Sequence, residues 1–178
     1  MTRHHPFART ASLTIGVALS LISLCSCLSA QELWGGASFG MSLKAVAAVV
    51  KNARPPEQQS TLGNHAVELL RVADAEFAGE AFTARFFFLD DALVQVMLTR
   101  DLESPFNYLA PELKKVEDEF TRVYGQPSSS LYNGDGVSPI VQKVWHVKNR
   151  KMTTLLVATG VGRKRSLLNV VFQIQPKP

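Results

Sequence analysis

Beyond residue 30 the chain contains no cysteine, since Cys25 and Cys27 are its only two. That stretch can form no disulfide, no thiolate nucleophile and no thiolate-ligated metal site. Histidine is also scarce there: only His65 and His146 remain, without His-x-x-x-His spacing. Two isolated imidazoles make a poor metal set. Gly36-Ala37-Ser38-Phe39-Gly40 has the Gly-x-Ser-x-Gly spacing, but a triad is defined by geometry, so the spacing alone assigns no nucleophile. Gly35-Gly36 and Gly134-Asp135-Gly136 are not followed by Lys and Ser/Thr in phosphate-loop spacing. Carboxylate pairs have simpler explanations: Asp90-Asp91 reads as a turn and Glu117-Asp118-Glu119 as a solvated helix face. No enzyme, no cofactor and no metal is the expectation.

Long apolar runs are lacking too. The longest, Ala11 to Leu24, has 14 residues, short of the roughly 20 a spanning helix needs. It follows Arg3 and Arg9 and precedes the small-residue stretch Cys25 to Ala30. Charge, apolar block and small-residue exit in that order describe a secretory signal, here residues 1–30. Two exits are open. Cleavage after Ala30 starts a periplasmic or secreted chain at Gln31. Alternatively, Leu24-Cys25-Ser26-Cys27 resembles a lipobox, with Cys27 the lipidation candidate of an outer-membrane lipoprotein. Export makes nucleic acid an improbable partner. Residues 31–178 form one domain on this reading, long enough to stand on a hydrophobic core alone.

What is present is a twice-repeated order. Ser42 is placed to cap a helix over about 43–53, with Leu43, Val46, Val49 and Val50 as its apolar stripe. Strands are expected at 65–73, 80–89 and 92–100; Phe82, Ala84, Phe86 and Phe88 alternate in the second. A second helix is expected at about 107–124, where Leu109, Leu113, Val116, Phe120 and Val123 recur at helical spacing. Gly125 and Pro127 end it. Residues 126–139 read as a long loop, followed by strands at about 140–147, 152–160 and 166–175. The expected class is α+β. Its order is α-β-β-β-α-β-β-β, with an antiparallel sheet and two helices on one face, in two layers and two similar units (about 38–103 and 104–178).

Trp34-Gly35, Phe39-Gly40-Met41-Ser42, Phe88-Leu89-Asp90-Asp91-Ala92-Leu93 and Tyr124-Gly125-Gln126-Pro127 with Trp145 together resemble tandem modules of the SmpA/OmlA (BamE) and β-lactamase-inhibitor-protein type. The resemblance covers most of residues 34–175. It implies an exported two-layer α+β protein that binds other proteins and has no catalytic residues to carry over.

Charge is divided unevenly. Residues 31–135 carry 9 basic and 15 acidic side chains, and residues 136–178 carry 8 basic and no acidic ones. The basic end either complements the acidic part of the same domain or meets an anionic partner, such as lipopolysaccharide, phospholipid headgroups or an acidic protein. Lys148, Arg150 and Lys151 fall in one expected hairpin loop, and Arg163, Lys164 and Arg165 in the next. Successive loops lie at opposite strand ends, roughly 25 Å apart for eight residues. Phe87 alternates with Phe86 and Phe88 and is the candidate aromatic anchor on the other sheet face. A non-catalytic interaction module with an envelope-protein partner is therefore expected. The alternatives are a small-ligand or lipid-headgroup binder and a hydrolase with an inconspicuous site.

Overall fold

The computed structural model describes residues 31–104, 106–133, 139–159 and 164–175. In chain order the elements are β1 (Glu32–Trp34), β2 (Ala37–Ser38), α1 (Leu43–Val49), β3 (Val67–Phe77), β4 (Glu80–Leu89) and β5 (Ala92–Leu102). A 3-10 turn at Phe106–Leu109 leads into α2 (Ala110–Tyr124). Then follow β6 (Ser129–Asn133), β7 (Ile140–Val147), β8 (Arg150–Thr159) and β9 (Arg165–Ile174). The class is α+β, and strand predominates.

Two-residue turns make the tight connections. Gly35-Gly36, Ala78-Gly79 and Asp90-Asp91 all have positive φ at both positions. That backbone matches the right-handed twist of paired strands. Asp tolerates the left-handed region because its short side chain bonds locally, so Asp90-Asp91 serves as a turn without glycine.

Seven strands form one antiparallel sheet in the order β3-β4-β5-β9-β8-β7-β6, and β1-β2 is a separate hairpin. The last strands of the two meanders, β5 and β9, pair at the centre, with Leu98 opposite Val170. From that pair the sheet runs outward through β4 and β3 on one side and β8 and β7 on the other.

Several elements depart from expectation, among them β3, which runs to Phe77, past the expected end at residue 73. The β1-β2 hairpin lies ahead of the first helix, and β6 occupies part of the expected loop. All five β6 residues are exposed, so no apolar alternation announces the strand; pairing with β7, from Ser129↔Val144 to Asn133↔Ile140, defines it. Helix α1 is shorter than expected. Val50 closes it with an N–H to the Val46 carbonyl, Asn52 turns left-handed (φ 61°), and Arg54 pairs with Arg71 at the outer edge of β3. The left-handed Asn52 and the edge pairing of Arg54 end the helix short of the expected residue 53.

Alternate strand residues build the core. Phe86, Phe88, Val96, Leu98 and Val170 join Val46 of α1 and Leu113, Val116 and Phe120 of α2 in one buried cluster. Phe120 is its aromatic hub, with ring centroids at 5.1 Å to Trp145, 5.6 Å to Phe77 and 5.8 Å to both Phe172 and Tyr124. Trp145 donates its indole N–H to the Gly125 carbonyl at 3.0 Å, which fixes the end of α2 against β7. No helix among the described residues is long and apolar enough to cross a membrane.

Candidate functional site

The strand residues that alternate with the core set define a second face. Register aligns three neighbouring rows across β5, β9, β8 and β7. The first is Gln95, Gln173, Lys151 and His146; the second is Met97, Val171, Thr153 and Val144; the third is Thr99, Asn169, Leu155 and Gln142. A fourth row adds Leu167, Val157 and Ile140 next to Asp101. Met97, Val171, Leu155, Leu167 and Val157 are half-buried, and none belongs to the core cluster. Four strands at about 4.8 Å spacing make this apolar band roughly 14 Å wide. Asn169 accepts from the Thr99 hydroxyl at 3.0 Å, a polar contact inside the band. Leu131 on β6 pairs with Gln142 and is 52% exposed, so apolar surface continues to the sheet edge.

Phe87 lies on this second face, as alternation requires, but it is fully buried. It is therefore not an exposed anchor, and this corrects the expectation. The Arg85 guanidinium sits 5.4 Å from its ring centroid, and Glu68 is its cross-strand partner.

Glu68 is itself fully buried and ionic. It accepts from Arg71 Nε at 2.7 Å, from Arg85 Nη2 at 2.7 Å and Nε at 3.0 Å, and from the Ser60 hydroxyl at 3.0 Å. Arg85 also donates to Ser60. Burial raises the carboxyl pKa, but the hydrogen bonds from Arg71 and Arg85, with the charge of Arg85, outweigh it and hold the pKa below the ordinary glutamate value. Arg71 and Arg85 are direct cross-strand partners. Like charges so placed repel, and Glu68 between them turns repulsion into a bridge. The backbone of the preceding segment is fastened to the same edge: Glu68 N–H donates to the Ser60 carbonyl at 2.8 Å, and Arg54 and Arg71 exchange two backbone bonds. This cluster anchors residues 54–65 to β3. Sequence reasoning missed it, and no motif marks it.

The basic residues separate as their chain positions imply. Arg150 pairs with Ile174 at one end of β8, and Thr159 pairs with Arg165 at the other, roughly 30 Å along the strand. Arg150 and Lys151 belong to strand β8 and not to the turn, which is only Lys148-Asn149. Arg165 bridges Asp101 at 2.8 Å, and Lys143 bridges Glu117 at 2.6 Å. Arg150 donates to the Glu32 carbonyl at 3.3 Å and lies 5.6 Å from the Tyr124 ring centroid. Part of the basic segment thus complements the acidic part of the same domain. Among the described residues, Lys148, Lys151 and Lys164 make no ion pair. Arg163 and Cys27 lie outside the described residues.

His65, in a left-handed turn at φ 67°, and His146 on β7 are both exposed. They flank the sheet five strand spacings apart, roughly 24 Å, so they cannot share one reaction centre. No cluster of three or more His, Cys, Asp or Glu suited to a metal occurs among the described residues.

Several open grooves mark the surface of the described residues. One of about 510 Å³ lies between Pro55, Pro56 and Arg71. A smaller one, about 210 Å³, runs between Trp34, Tyr124 and Arg150. One of about 720 Å³ opens beside Phe39, Gln95 and Gln173. No family model, no curated protein and no solved structure matches this chain.

Proposed function

We propose that the protein is exported and acts as a non-catalytic interaction module, whose contact surface is the sheet face opposite the core. On this reading both helices cover one side of the sheet in two layers. The shared cluster of Val46, Leu113, Val116 and Phe120 supports that arrangement. The observation that carries the function is the band of Met97, Val171, Leu155, Leu167 and Val157, half-buried yet outside the core. Contiguous apolar surface of this kind is characteristic of protein contact sites. The partner is another envelope protein, in keeping with the export signal in residues 1–30 and the likeness to SmpA/OmlA and β-lactamase-inhibitor modules.

Anionic lipid or lipopolysaccharide is the weaker partner. Arg150, Arg165 and Lys143 already have intramolecular partners; of the remaining lysines, Lys148 and Lys151 lie at one end of the β8-β9 pair and Lys164 at the other. The test is a double substitution, Leu155→Asp with Val171→Asp. Both side chains are partly solvated, so the variant keeps its fold by circular dichroism, and it loses the partner that co-elutes with the native chain from envelope extracts. Undiminished co-elution would remove the sheet face from the account.

A further inference from the structure

The groove beside Phe39 has a lining unlike the rest of the surface. Five of its residues carry side-chain amides, namely Asn64, Gln95, Asn149, Gln173 and Gln175, and none is ionisable. Its remaining lining is apolar, with Phe39 the one aromatic and 42% exposed. Only Asn64 uses its amide internally, accepting from the Ala66 N–H at 3.2 Å. The amides of Gln95, Asn149, Gln173 and Gln175 make no hydrogen bond to protein among the described residues. Each offers two donors and an acceptor.

The frame that holds them is tied down. Gln95 and Gln173 are direct register partners on the two central strands, so their Cβ atoms lie about 5 Å apart. On one wall, Gly40 N–H donates to the Leu93 carbonyl and Leu93 N–H to Met41, both at 2.8 Å, which fixes the segment carrying Phe39. On the other, Gln175 N–H donates to the Asn149 carbonyl at 2.7 Å. The volume, about 720 Å³, falls within the range of small-ligand sites.

We infer that this groove binds a neutral oligosaccharide of gluco-configured residues. Vicinal hydroxyls present a donor and an acceptor side by side, which one carboxamide satisfies as a pair. Equatorial hydroxyls leave a flat C–H face on the pyranose, suited to the electron-rich face of the Phe39 ring. No lining residue is charged, and Lys151, the register partner of Gln173, is not among them, so the lining itself offers an acidic or phosphorylated ligand no ion pair. An extended peptide fits less well. Gln95 and Gln173 sit on strands hydrogen-bonded on both sides, which leaves no free strand edge here for backbone pairing.

The test is a nitrogen-15 NMR titration of the full chain, expressed with its own leader and purified after export. The probes are chitohexaose, cellohexaose and an uncharged alanine-glycine hexapeptide. Either oligosaccharide should shift the side-chain NH2 signals of Gln95, Gln173, Gln175 and Asn149 together, with a Kd on the order of 1 mM or tighter. Gln95→Ala with Gln173→Ala should weaken binding at least about tenfold while leaving the backbone spectrum native. No movement of these NH2 pairs with either sugar at about 10 mM, where a millimolar site would be nearly saturated, would overturn the assignment. So would movement with the hexapeptide alone.

Discussion

Removing the Glu68 carboxylate should destabilise the protein in a pH-dependent way. Glu68→Gln keeps the side-chain volume but removes the charge that three guanidinium hydrogen bonds and the Ser60 hydroxyl address. Breaking a buried ion pair by deleting one partner costs about 3–5 kcal/mol. Here Arg71 and Arg85 keep 35% and 20% of their side-chain surface, so water compensates part of their loss. About 2–3 kcal/mol is the resulting expectation. For a domain of this size each kcal/mol moves Tm by about 2–4 °C, giving a fall of roughly 4–12 °C at neutral pH. The native pKa of Glu68 is lowered. Its contribution is therefore complete above the unfolded value of about 4.3 and disappears as pH falls through the folded value. Thermal melts of native and Glu68→Gln proteins between pH 7 and pH 2 should converge at the acid end. A Tm within about 2 °C of native at pH 7, or a gap that stays constant down to the acid limit, would refute the reasoning.

Two further outcomes follow from the same structure. Phe120→Ala removes the ring shared by Phe77, Tyr124, Trp145 and Phe172 and should cost about 3–5 kcal/mol in urea unfolding; a loss below about 1 kcal/mol would show that the hub is not packed as described. If anionic headgroups are a partner, Lys148→Gln with Lys151→Gln should weaken retention on phosphatidylglycerol vesicles at low salt by about 1 kcal/mol per lysine, and unchanged retention discards that partner.

Much of the sheet was legible because its code is local. Asp90-Asp91 between two alternating runs placed β4 and β5 to within two residues, and Phe82, Ala84, Phe86 and Phe88 named the core face. Gly35-Gly36 carried the same kind of signal between Trp34 and Ala37, but the strands it joins have only three and two residues, too few to show periodicity. The Glu68 cluster was illegible for a geometric reason. Residues 68 and 71 fall on opposite faces of a regular strand, and only the irregularity between Glu68 and Leu70 brings both carboxylate and guanidinium to one side. Phe87 was assigned to the correct face, yet its burial depends on Arg85 and on strand pairing remote in sequence. The amide groove depends on residues from 39 to 175, which only the β5-β9 pairing assembles.

Site-specific photo-crosslinking in the living host addresses the proposed contact surface most directly. A benzoylphenylalanine placed at Leu155 or Val157, compared with one at Lys114 on the exposed side of α2, reports which side of the sheet meets a partner. Covalent adducts to a different envelope protein at 155 and 157, with none at 114, are the expected result. Adducts from 114 alone, from none of the three, or only between copies of this chain would contradict it.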